Sequence, residues 1–94
     1  MEVHDLNGRV RKVLKALGHL AVDPDRLSDQ DDLYDAGLKS LTAVHLLLGL
    51  EEEFGIEFPD SMLHRGIFST VGRIREAVAV LANGQGRPAP AERR

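Results

Sequence analysis

Apolar residues recur at three- and four-residue steps in three separate stretches of this chain, and that spacing restricts it to packed helices. Val3, Leu6, Val10, Val13, Leu14 and Leu17 make the first stripe. Ala43, Leu47, Leu50 and Phe54 make the second, widened by Val44 and Leu46, and Val71, Ile74, Ala77, Val78 and Leu81 make the third. Side chains three and four apart share one side of a helix, so each stretch has a single face to bury. Gly18 is a C-terminal stop for the first helix, and Gly55 for a second spanning Ser40 to Phe54. The last helix is predicted from Ser69 or Thr70 to about Ala82, ended by Asn83-Gly84. Asp60, preceded by Pro59, is a helix-starting residue, which predicts a short helix over Ser61 to about Arg65. The expected fold is all-α: a four-helix bundle with three main helices, one short helix and a long first loop.

That loop, about Gly18 to Lys39, holds Pro24 and many aspartates, and Val22, Leu27, Leu33, Tyr34 and Leu38 are expected to pin it to the core. A connection of this length in a small domain is more often functional than idle. The 94 residues allow one domain with one modest core. Residues 1–84 are expected to form that domain, and 85–94, rich in Gly, Pro and charge, a disordered tail. The tail should be dispensable for stability. There are no cysteines, which rules out a disulfide framework or a thiolate metal site. No apolar run approaches a membrane span, and Met1 to Asp5 lacks the character of a signal peptide. A cytoplasmic monomer is the expectation.

The formal net charge of −3 conceals a segregation. Residues 23–60 hold eleven acids against two bases, Arg26 and Lys39, and the remainder holds four acids against ten bases. An acidic middle argues against nucleic acid and favours partners with basic patches. The plainer reading of an acidic run is a solvated face. The four histidines, His4, His19, His45 and His64, share no metal-ligand spacing. Asp29-Gln30-Asp31-Asp32-Leu33 lacks the glycine and the spacing of a calcium loop.

One site stands out. Asp35-Ala36-Gly37-Leu38-Lys39-Ser40-Leu41 is a turn that delivers a serine to the start of the second helix. Gly37 supplies turn freedom. Ser40 suits a helix N-terminus, where its oxygen can accept from free N–H groups. A phosphate ester on that oxygen would meet the positive end of the helix dipole. A catalytic Ser40–His45 pair is conceivable, but no orienting acid or oxyanion signature accompanies it, so a hydrolase is not expected.

Gly37-Leu38-Lys39-Ser40-Leu41, followed by Glu51 to Asp60 (Glu-Glu-Glu-Phe-Gly-Ile-Glu-Phe-Pro-Asp), resembles the acyl carrier protein family over roughly Leu6 to Leu81. Gly-x-x-Ser-Leu alone would be weak; serine, acidic turn and Phe-Pro-Asp at family spacing are jointly specific. The resemblance implies a non-enzymatic carrier with 4′-phosphopantetheine on Ser40, holding its cargo as a thioester. A phosphopantetheinyl transferase, itself needing magnesium, would install the arm from coenzyme A. An acyl- or aminoacyl-loading ligase and downstream enzymes would follow. The resemblance also places partner contacts on Leu38, Lys39, Leu41, Thr42, His45, Leu48, Glu51 and Glu52.

Lys39 departs from the family pattern, which has Asp there. A cation opposes the dipole, yet after modification it would lie one residue from a phosphodiester and pair with it. The early exposed positions of this helix are less acidic than is usual in the family, which implies a dedicated pathway rather than general fatty-acid synthesis. Fatty-acid or polyketide-type cargo is the first reading. An aminoacyl carrier loaded by a synthetase-like ligase is the alternative, and a carrier-like module whose Ser40 stays unmodified is the third.

Overall fold

The computed structural model describes residues 3–82, so the proposed tail 85–94 and the Asn83-Gly84 stop lie outside the described residues. Three α-helices form: α1 Val3–Leu17, α2 Ser40–Phe54 and α3 Val71–Ala82. No strand occurs among the described residues, and none of the helices is long and apolar enough to cross a membrane. The architecture is all-α, as the periodicity requires.

α1 is the central element, packed against both α2 and α3. Its buried stripe is Leu6, Val10, Val13 and Leu14, and α3 meets it with Val71, Ile74, Ala77, Val78 and Leu81. At the α1–α2 contact a Cβ on Gly49 would come within 2.3 Å of a Leu17 methyl and 3.1 Å of Val13, so a residue without a side chain lets the two helices approach. α1 ends as predicted, the Gly18 N–H bonding to the Leu14 carbonyl at 2.8 Å. The left-handed residue that reverses the chain is the next one, His19, at φ 51°.

Two expectations for the core are corrected. On α2 the buried stripe is Ala43, Leu46, Leu50 and Phe54; Leu47 is half-buried at its edge, and Val44 is 51% exposed. Leu46 therefore sits at the centre of the stripe and Val44 on the outer face, a rotation that apolar spacing alone leaves open because this helix is apolar on more than one side. In the long loop, Leu33 and Leu38 are buried and Leu27 and Tyr34 pack against the core, whereas Val22 is 45% exposed. Backbone bonds hold the chain beside Val22, the Ala21 N–H reaching the Ala36 carbonyl at 2.8 Å.

The short helix expected over Ser61 to about Arg65 is replaced by two 3₁₀ turns, Asp60–Met62 and Arg65–Phe68. Pro59, not Asp60, occupies the starting position, and it has no side-chain acceptor to offer. Leu63 and His64 then leave helical geometry, with His64 extended at φ −135° and ψ 164°. The segment is anchored by Phe58 and Phe68, buried and edge-to-face with centroids 6.1 Å apart.

Candidate functional site

The loop reaches α2 through Leu38, whose side chain is buried at 4% exposure and whose N–H bonds to the Leu33 carbonyl at 3.0 Å. That anchor fixes where α2 begins. Lys39, not Ser40, is the N-cap, with extended backbone at φ −118° and ψ 166°. Lysine has no acceptor to give the free amides. Thr42 closes the turn instead: its hydroxyl accepts from the Lys39 N–H at 3.0 Å and donates to the Lys39 carbonyl at 3.0 Å. Helical bonding starts with the Ala43 N–H to the Lys39 carbonyl at 2.8 Å. The N–H groups of Ser40, Leu41 and Thr42 therefore have no acceptor inside the helix. Ser40 is the first helical residue and is exposed.

These observations fit a phosphate ester on the Ser40 oxygen. The hydroxyl is open to a modifying enzyme, and the free amides of the first turn and the positive end of the α2 dipole lie at the same point. An open groove of about 440 Å³ adjoins it, lined by Ser40 with the apolar Val44, Leu47 and Leu63 and with Tyr34 and Arg65. Ala43, His64 and Phe68 complete the lining. The Tyr34 hydroxyl donates to the Arg65 carbonyl at 3.0 Å, and the Arg65 guanidinium lies 3.6 Å from the centroid of the Tyr34 ring. Burial pushes the Tyr34 phenol up, and the charge of Arg65 works against that shift. His45 is not part of this groove. Five residues along a helix place it about 140° around the axis from Ser40, which separates the two as a catalytic pair.

The residues singled out as partner contacts divide. Leu41 and Leu48 are 68% and 57% exposed, and with Val44 they form an outward apolar stripe at positions i, i+3 and i+7. His45 and Glu52 are exposed beside it, and Lys39 is exposed at its start. Leu38 is a core residue and offers a partner no side chain. The Thr42 hydroxyl is occupied in the cap. Glu51 is half-buried, its carboxylate accepting from the Phe58 N–H at 2.9 Å, which ties α2 to the segment after it. Tyr34, Leu63 and Arg65 line the groove beside Ser40 and are not among the residues the sequence singles out as a site. They stand in two loop segments 31 residues apart, where no local pattern links them.

The acidic middle is also less free than its composition suggests. Asp29 accepts from Asn7 at 2.9 Å and pairs with Arg11 and Arg75, each at 2.7 Å. Glu53 pairs with Arg9 at 2.9 Å and Lys12 at 3.2 Å, and Asp25 with Lys15. The hydrogen bond from Arg9 leads the causes that hold the Glu53 carboxyl below its ordinary value. The basic face of α1 is thus engaged internally. Among the described residues no group of histidines and carboxylates converges as a metal site.

Residues 10–78 match the family described as phosphopantetheine attachment site. The chain is 40% identical over 80 residues to an aminoacyl carrier protein of Agrobacterium fabrum, covering 85% of this chain and 96% of that one. It is 32% identical over 78 residues to an acyl carrier protein of Zymomonas mobilis, covering 82% and 91%. Among solved structures it resembles one chain of the complex between an engineered Bradyrhizobium japonicum glycine:[carrier protein] ligase and a carrier protein from Agrobacterium tumefaciens with ATP. The TM-score is 0.77 at 41% identity, over 80% of this chain and 97% of the matched chain.

Proposed function

The chain belongs to the phosphopantetheine-attachment family of acyl and aminoacyl carrier proteins, which are not enzymes and bear a covalent 4′-phosphopantetheine, and from that premise we propose that Ser40 holds the arm and that the cargo is an amino acid. What supports Ser40 is its exposure as the first residue of α2, with unbonded helix amides around it and a groove at its side. When attached, the arm supplies a thiol that carries the cargo as a thioester. A phosphopantetheinyl transferase would add the arm from coenzyme A. The protein itself contributes display and tethering, which raise the effective concentration of the cargo at a partner.

The observation that carries the aminoacyl reading is the likeness, over nearly the full length of the relative, to an aminoacyl carrier, together with a structural match to a carrier seated on a glycine ligase. Of the three readings drawn from the sequence, this is the aminoacyl alternative. It displaces fatty-acid or polyketide-type cargo as the first choice. A synthetase-like ligase would dock on the outer face of α2, where Leu41, Val44 and Leu48 give an apolar strip beside His45 and Glu52. The strip would supply contact area, and the flanking charges would supply encounter rate and partner discrimination.

The test is loading of the holo protein. With a glycine:[carrier protein] ligase, ATP and a panel of amino acids, the holo chain should gain the mass of one aminoacyl group, lost on treatment with hydroxylamine. Ser40→Ala should accept neither arm nor amino acid. Loading by a malonyl or fatty-acyl transferase, with no amino acid taken up, would return the chain to the acyl carrier reading.

A further inference from the structure

Arg65 is an arginine that lines the groove beside Ser40. Its guanidinium lies over the Tyr34 ring, and its carbonyl accepts from the same tyrosine's hydroxyl, so main chain and side chain are held by one residue. Tyr34 comes from the loop before α2 and Arg65 from the second 3₁₀ turn after it, and both share a groove with Ser40. Arg9, Arg11, Lys12 and Lys15 of α1 and Arg75 of α3 have carboxylate partners, and no ion pair involves Arg26, Lys39 or Arg73 among the described residues. Among the described residues Arg65 has no carboxylate at ion-pair distance. Stacking occupies only the flat face of a guanidinium; its five N–H donors radiate in the plane and stay available. A fixed planar fork of donors suits a phosphate oxygen pair better than a mobile ammonium does.

We propose that Arg65, stacked on Tyr34, is the positioning residue for the phosphodiester that joins the arm to Ser40. This rests on the reading that Ser40 is the attachment residue. Lys39, the neighbour expected from sequence to pair with the phosphodiester, is exposed and absent from the groove lining, so that role passes to a residue distant in sequence. Tyr34 then matters as the surface that holds Arg65 in place. Because the pair is preorganised, little side-chain freedom is lost when the phosphate arrives.

The experiment compares apo and holo forms of the full chain in the wild type, Arg65→Gln, Arg65→Lys, Tyr34→Phe and Lys39→Gln, after treatment with coenzyme A and a broad-specificity transferase. Mass reports attachment. Nitrogen-15 NMR reports the Arg65 Nε–H, phosphorus-31 NMR reports the diester, and melting reports the coupling. In the wild type the Arg65 Nε–H resonance should move on attachment, and the holo form should melt about 2–5 °C above the apo form. Arg65→Gln should shift the phosphorus line and abolish the melting difference. Arg65→Lys should retain part of it, and Tyr34→Phe, which keeps the stack, and Lys39→Gln should retain it. A wild-type phosphorus line and melting difference in holo Arg65→Gln would overturn the inference while leaving the attachment reading intact. So would their loss in Lys39→Gln alone. Absence of any mass increment on Ser40 would overturn the attachment reading itself, and this inference with it.

Discussion

Single residues at the start of α2 settle whether the turn holds. Gly37 sits at φ 115°, a conformation that side chains strain, and a Cβ there would lie 3.1 Å from the Ala21 nitrogen. Gly37→Ala should therefore destabilise the protein by about 1–3 kcal/mol, read as a lower midpoint in urea. Lys39 contributes the opposite case. It occupies an N-cap with the right backbone but no acceptor, leaving the capping to Thr42. Asp in that position would accept from a first-turn amide and favour the dipole, worth about 1 kcal/mol. Lys39→Asp should raise the apo melting temperature by about 4–8 °C. An unchanged apo melting temperature in Lys39→Asp would show that a carboxylate at this position does not cap α2.

At the scale of an element, α2 carries two apolar stripes with different tasks. Ala43, Leu46, Leu50 and Phe54 face α1 and the loop core, while Leu41, Val44 and Leu48 face out. Leu50 is fully buried, so Leu50→Ala removes transfer energy and leaves a cavity, at a cost of about 2–5 kcal/mol. Leu48→Ala should change stability by less than about 0.5 kcal/mol. If the outer stripe is the docking face, Leu48→Ala should nonetheless lower kcat/KM for ligase loading roughly fivefold, the effect of losing about 1 kcal/mol of contact. An unchanged loading rate would remove Leu48 from the interface. Thermal melts and loading kinetics on the two variants separate the faces. The double character of α2 is also why spacing puts Leu47 at the centre of the inward stripe and Leu46 at its edge, the reverse of what is found, while Ala43, Leu50 and Phe54 face inward as expected: with leucine at 46, 47, 48 and 50, spacing alone does not say which way the helix is turned.

Across the whole molecule, Asp29 is the point where the long loop is fastened to two helices. Its carboxylate takes hydrogen bonds from Asn7 and Arg11 of α1 and from Arg75 of α3, and its carbonyl accepts from the Gly72 N–H at 3.0 Å. Arg11 also donates to the carbonyls of Pro24 and Leu27. The Asn7 hydrogen bond, followed by Arg75 and Arg11, holds the Asp29 carboxyl down at about 2, from an ordinary 3.8. A depressed carboxyl stabilises the fold while it is ionised in both states. Its contribution is therefore present above about pH 4 and lost as the pH falls towards 2. Asp29 is about one-third exposed, at 32%, so solvent screening reduces what the clasp is worth. Asp29→Asn should cost about 1 kcal/mol at pH 7 and flatten the stability–pH curve between pH 4 and 2. An unaltered slope in that window would assign the acid loss to other carboxylates.

The sequence by itself determined the helical class, the spans of α1 and α2, the inward residues of α3 and the position of a serine at a turn-to-helix junction. These are local matters: a 3.6-residue period, a glycine stop and a turn are written in neighbouring residues. Only the tertiary structure buries the Leu38 side chain and ties the Glu51 carboxylate to the Phe58 N–H. It also replaced the helix expected after Pro59 with two 3₁₀ turns, and it set Arg65 on Tyr34 beside Ser40. It paired Asp25, Asp29 and Glu53 of the acidic middle with the basic face of α1. Each of these depends on side chains brought together from distant parts of the chain. Composition records their charges and sizes but not their neighbours, and packing against α1 selects one rotation and one set of pairs from the many that the same pattern permits.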